Sequence, residues 1–347
     1  MRSLTKCLAL VAILIVLTAS AFAQEQNQSP QLKSADELVQ LLTARFGVDY
    51  EIPAEIPCNV VACDQRDVKI AIYKTGADWN QPESILWSWD PRANVSEEFG
   101  KTFAHVDECK PARGTELVLV TSSYGGIAVV RVADKKVLFY GLPKGNTHSI
   151  ALLPDGNVVS ISSTGAFIAL FVSKIGTEEE GKEDVPPITP IHKKYELEGG
   201  HGLVWDAKRD VLWALGSKEI VAYRYNGDKA NPELIECARQ ELKGTARGGH
   251  DLYPAPGYDA LMTTGLGVNV FDPNTMKFTT VWDRRAVKSV SLTPDGAATL
   301  VQLPNEEWWN DAVYYGDAKE TVVGKEDGAR FYKARWFVPN NFSEPLK

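Results

Sequence analysis

Three histidines carry the chemistry that this sequence offers. His148 stands in Gly-Asn-Thr-His148-Ser-Ile, His201 in Gly-Gly-His201-Gly-Leu-Val, and His250 in Gly-Gly-His250-Asp-Leu-Tyr. Each has a glycine within the three residues before it and leads into a turn and an apolar run, so all three occupy one position of a repeat. Counting back from the apolar runs places Glu108 opposite His148 and Lys288 opposite His250. Five successive repeats then present Glu, His, His, His and Lys at one level. Three imidazoles with a carboxylate beside them and positions left open for water would hold a divalent metal ion, of no particular identity. The ligands expected are Glu108, His148, His201 and His250. Without a metal, one of these histidines acts as general base while Lys110 or Lys288 steadies a developing anion. Lys110, two residues beyond Glu108, shares its strand face. The bland alternative is that the imidazoles only hydrogen-bond the glycine-rich turns or channel water. His105, three residues before Glu108, is out of register and falls outside the site.

Further ligand-binding candidates flank this set. Gln65, in Asp64-Gln65 after the first strand, can supply the sixth wall of a ring. Trp308 and Trp309 lie in a polar loop, where an exposed indole can stack on a sugar ring and a buried one packs between repeats.

From Cys58 onward the chain is short β-rich runs separated by Gly, Pro, Asp and Asn. The candidate inner strands are 59–63, 116–122, 157–162, 211–216, 260–264 and 298–303. Further runs follow most of them, with a period of about 40 to 53 residues, as in four-stranded propeller blades. The sequence therefore predicts an all-β fold, a six-bladed β-propeller over 58–340. A seventh blade is open if residues 330–338 build one rather than closing the ring beside the first strand. Residues 24–57 form an N-terminal extension, and 341–347 a tail. In the extension Ser34 and Glu37 make a capping box, and Leu38, Leu41, Leu42 and Phe46 share one face. This is a short amphipathic helix ended by Gly47, packing on the outside of the propeller. The acidic stretch 178–184 reads as a solvated loop between strands.

The first residues set the compartment. Arg2 and Lys6 precede an apolar run ending in Ala21-Phe22-Ala23, a signal peptide cleaved after Ala23. The product is expected to be secreted or periplasmic, with no membrane span after cleavage. The full chain has 37 basic and 45 acidic residues. Losing the two basic residues of the leader leaves a net charge near −10. Such a surface disfavours nucleic acid as partner and leaves a small molecule or glycan, while a local basic pocket can still take an anion. Cys58, Cys63, Cys109 and Cys237 either form one or two disulfides or serve as buried apolar residues.

The constellation Trp87-Ser-Trp89, Glu108-Cys-Lys110, Ser122-Ser-Tyr-Gly-Gly126, His148-Ser with Leu153-Pro-Asp-Gly-Asn157, Gly-His201-Gly-Leu-Val-Trp205-Asp and Gly-Gly-His250-Asp-Leu resembles a family of secreted bacterial β-propeller proteins catalogued as a domain of unknown function. It covers roughly residues 58–337. A looser similarity is to propeller polysaccharide lyases, the oligogalacturonate lyases, whose histidines hold a metal while another serves as base. Their ligands do not map onto this chain residue by residue, so this similarity implies a chemistry class only: metal-assisted elimination or hydrolysis of an acidic sugar. The competing reading is a non-catalytic propeller that binds glycan or protein through its rim loops.

Overall fold

A computed structural model describes residues 32–344, apart from Asp49, Asn94, Ser96 and Glu306. The expected leader lies outside the described residues. Six antiparallel sheets follow one another along the chain and form the blades of a propeller. In blades two to six the innermost strands are Val106–Ala112, Thr147–Leu152, Gly202–Asp206, Asp251–Pro254 and Ser289–Leu292. Blade one takes its innermost strand from the far end of the chain, where Phe331–Trp336 pairs antiparallel with Val60–Asp64. The run 330–338 thus closes a six-bladed ring and builds no seventh blade.

One expectation is corrected. The runs read as innermost, beginning with 59–63 and 116–122, are the second strand of each blade. A second strand is buried on both faces and reads as continuous Val, Ile and Leu. An innermost strand turns one face to the channel and carries polar residues there, which breaks the apolar pattern.

Side chains from facing sheets fill the space between blades. Between blades one and two, for example, Val61, Cys63, Ile70, Trp89, Val118 and Val130 form one cluster. The four cysteines among the described residues, Cys58, Cys63, Cys109 and Cys237, are free thiols, and Cys63 and Cys109 serve as small buried core residues. Blade two gains a fifth strand from its neighbour, since Ile188–Thr189 of blade three's outer connection pairs parallel with Val137–Gly141. In the acidic loop before it, Glu180 accepts from both terminal nitrogens of Arg113 at 2.8 and 3.0 Å, so that loop is pinned at one point.

The helix α1, Ala35–Gly47, has the predicted capping box at Ser34 and Glu37. Leu38, Leu42 and Phe46 are buried against blades five and six, and Phe46 stacks on Trp282 with centroids 4.6 Å apart. Arg45, on the same face, donates to Thr299 Oγ1 at 3.0 Å and to the Gly296 carbonyl. The extension is thus part of the propeller's outer wall.

Candidate functional site

The three histidines meet at one mouth of the channel. His148 and His201 stack with centroids 4.4 Å apart, and His250 lies edge-on to His201 at 4.6 Å and to His148 at 6.2 Å. A β-bulge at the start of each innermost strand brings them there. In blade three the ladder jumps between Thr147 and Ser149, leaving His148 as the extra residue. In blades four to six the N–H groups of His201, His250 and Lys288 donate to the carbonyls of Leu215, Thr264 and Gln302. Those three residues pair in the ladder with the next residue along, Gly202, Asp251 and Ser289. A bulge frees one residue from strict alternation and re-aims its side chain. Blades two and one have matching jumps, which leave Asp107 and Tyr332 at the same position.

The level therefore carries Asp107, His148, His201, His250, Lys288 and Tyr332. Two expectations change. Glu108 is one residue out of register: 13 residues separate His148 from its bulge partner Ile161, whereas 14 separate Asp107 from Thr121. Blade three, used as the ruler, shifts blade two by one. The sixth wall is Tyr332 from the closing strand rather than Gln65, which stands behind the ring.

Lys288 lies with Nζ 2.7 Å from His250 Nε2, and Tyr332 Oη is 3.4 Å from that nitrogen and from His148 Nδ1. His201 Nδ1 is 2.8 Å from the Gly199 carbonyl, and His250 Nδ1 is buried without a partner. Asp107 accepts from Ser123 Oγ at 2.5 Å and Gln65 Nε2 at 2.8 Å, with His148 Nδ1 at 3.7 Å. Burial, reinforced by the neighbouring charges of Lys333 and Lys288, holds all three imidazoles below their usual range, His201 at about 4. They are uncharged at neutral pH, with lone pairs available. Burial likewise pushes Asp107 up to about 8, and burial with the Lys333 charge brings Lys288 down to about 8.

One layer deeper, paired charges plug the axis. Arg335 donates to Glu108 at 2.9 and 3.1 Å and to Asp251 at 2.8 and 3.1 Å. Lys333 reaches Asp251 at 3.1 Å and Glu108 at 3.4 Å. Burial opposes the Lys333 charge, but those two carboxylates outweigh it and raise its pKa. Glu108 is thus committed to cations below the ring and is not beside the imidazoles. Lys110 is deeper still, donating to Ser149 Oγ at 2.6 Å and to the Leu203 carbonyl at 2.8 Å. The column holds four cationic side chains, Lys110, Lys288, Lys333 and Arg335, against the carboxylates Glu108 and Asp251. With Asp107 largely protonated at neutral pH, positive charge is in surplus.

At the rim, Trp308 is 45 % exposed and donates from Nε1 to Gln65 Oε1 at 2.9 Å. His105, left outside by the sequence reading, lies between it and the exposed Tyr124, with centroids at 6.4 and 4.9 Å. Trp309 instead stacks under Arg330 at 5.1 Å. The sequence signal for this rim was Tyr124, two residues after a second strand, where the chain turns at the same mouth.

The imidazoles do not form a ligand cluster as they stand. Among the described residues, the three side chains whose ligand atoms come within 4.8 Å of one another are Asp64, Asp67 and Glu326. That acidic group could hold a cation, but Lys69 already lies 2.9 Å from Glu326, 3.5 Å from Asp67 and 3.6 Å from Asp64. No helix among the described residues is long and apolar enough to cross a membrane.

The sequence from residue 6 to 347 matches the Family of unknown function (DUF6528). The chain belongs to that family. No curated protein matches it. Among solved structures it is similar to Kuenenia stuttgartiensis Hydrazine Synthase, with 12 % identity over 65 % of this chain and 68 % of that one, at a TM-score of 0.42. A likeness at that level carries no argument about activity.

Proposed function

We propose that this propeller is exported and binds a small acidic glycan at the histidine mouth. The observation that carries the reading is the surplus of positive charge on the axis of an acidic protein. A sugar carboxylate seated against Lys288 compensates that charge, and the rim indole of Trp308 offers a face for the sugar ring. The neutral imidazoles accept hydrogen bonds from sugar hydroxyls. A neutral imidazole beside an ammonium also suits proton abstraction next to a carboxylate, with the lysine countering the developing charge. The test is calorimetry with oligogalacturonates and with neutral oligosaccharides of the same length. The expected result is saturable binding of the acidic series alone. Equal binding of both, or of neither, overturns the reading.

A divalent ion is the second reading, favoured by three uncharged imidazoles on adjacent blades. It requires Lys288 to release His250 Nε2 and the rings to turn toward a common point. Metal analysis after incubation with zinc, nickel or manganese tests it. One ion per chain, lost in His201→Asn, supports it, and no retained metal sinks it.

A further inference from the structure

Four of the six innermost strands end at the opposite mouth, beneath the charge plug, around a cavity of ≈ 810 Å³. Its walls are apolar, with Leu152, Leu203, Val204, Trp205, Tyr253 and Pro254 among the lining residues, and the C-terminal segment Pro339–Glu344 borders it. That segment is anchored: Glu344 accepts from the backbone N–H of Arg113 and of Gly114, and the N–H of Ala207 donates to the Phe342 carbonyl. Lys110 lines the cavity too. Its ammonium bonds a hydroxyl and two backbone carbonyls, while the nearest carboxylate, Glu108, lies 3.6 Å away and is shared with Arg335 and Lys333. In the deep part of the column three cations thus meet two carboxylates, and Lys110 is the cation beside the cavity.

We infer that this mouth is a second binding site, for a small molecule with an apolar body and one carboxylate, the carboxylate reaching Lys110. The volume lies within the usual range of small-molecule sites. The apolar lining supplies the affinity through surface removed from water. A carboxylate that displaces the Ile150 carbonyl, at 3.4 Å the longest of the ammonium's three bonds, makes a charge-assisted bond that this neutral acceptor does not match. Glu116, Asp155, Asp210 and Glu344 stand around the opening. Arg113, the basic residue among them, is committed to Glu180. An acidic rim repels ligands with several negative charges, so this mouth rejects the polyanionic sugars that suit the other one.

Calorimetry with phenylacetate, 4-phenylbutyrate and octanoate tests the site, with 4-phenylbutanol as the uncharged control. At least one acid is expected to bind saturably, one per chain, with the alcohol at least tenfold weaker. Lys110→Met and Ala207→Trp, the second narrowing the opening without touching the charges, each weaken the acid at least tenfold. Lys288→Met leaves it unchanged, which separates this site from the histidine mouth. No binding by any of the three acids, equal binding of the alcohol, or unaltered binding in Ala207→Trp overturns the inference. Ala207→Trp decides the matter even if Lys110→Met fails to fold.

Discussion

Where the innermost strands begin, bulges crowd Asp107, three imidazoles, Lys288 and Tyr332 into one ring; where they end, regular pleating leaves Leu203, Val204 and Trp205 around an apolar hollow. Four of the six strands that build the first mouth line the second as well. The difference teaches that one extra residue per strand, placed at the same end each time, turns a packed barrel wall into a polar site. Between them the ion pairs of Glu108, Asp251, Lys333 and Arg335 act as a partition, so the mouths are chemically independent.

Removing the partition is the most damaging test. Arg335→Met strands Glu108 and Asp251 in the axis and is expected to cost about 3–5 kcal/mol in urea unfolding. A loss under about 1 kcal/mol means that the plug is dispensable and the mouths communicate.

The ring sets an acid limit next. His201 titrates at about 4 when folded, from an ordinary value of 6.5, so the unfolded chain takes up its proton first. The stabilisation is complete above about pH 6.5 and is lost as the pH falls toward 4, about 3 kcal/mol for that one group. His148 and His250 shift in the same direction and steepen the loss. Asp107, raised to about 8, works oppositely: it stabilises the fold at acid pH and its contribution fades as the pH rises toward 8. His201→Asn should flatten the stability profile between pH 6.5 and 4 by one proton, measured by unfolding at a series of pH values. An unchanged slope places the titration elsewhere.

Smaller effects separate recognition from stability. Lys288→Met should weaken acidic oligosaccharides at least tenfold, about 1.4 kcal/mol or more, while leaving the apolar mouth's ligand untouched. Trp308→Ala should cost about 0.5–1.5 kcal/mol of glycan affinity and under about 0.5 kcal/mol of stability, since that indole is exposed. If stability falls as far as affinity, the indole belongs to packing.

Much of this was legible because blades repeat. The glycine-histidine pattern placed His148, His201 and His250 together, counting back from the last apolar run added Lys288, and the capping box with its apolar stripe gave α1 and its docking face. The partition was not legible. Lys333 and Arg335 come from the last strand, and nothing in Tyr332-Lys-Ala-Arg335 announces that it lies beside residues 108 and 251 of other blades. The offset at Glu108 has a similar origin: bulges carry no residue signature, and a hairpin one residue shorter in blade three moved the count. His105 and Tyr124 were overlooked because a shared rim depends on how loops from different blades lean together.

Closure by the last strand has a consequence for biogenesis. Residues 60–89 lack their inner neighbour until residue 336 exists. A nascent polypeptide therefore remains an open arc, with the edge of Val60–Asp64 unpaired, until the strand Phe331–Trp336 is released. A premature stop anywhere before position 331 leaves that edge exposed to intermolecular pairing, so nonsense truncation should yield aggregate rather than a smaller working protein.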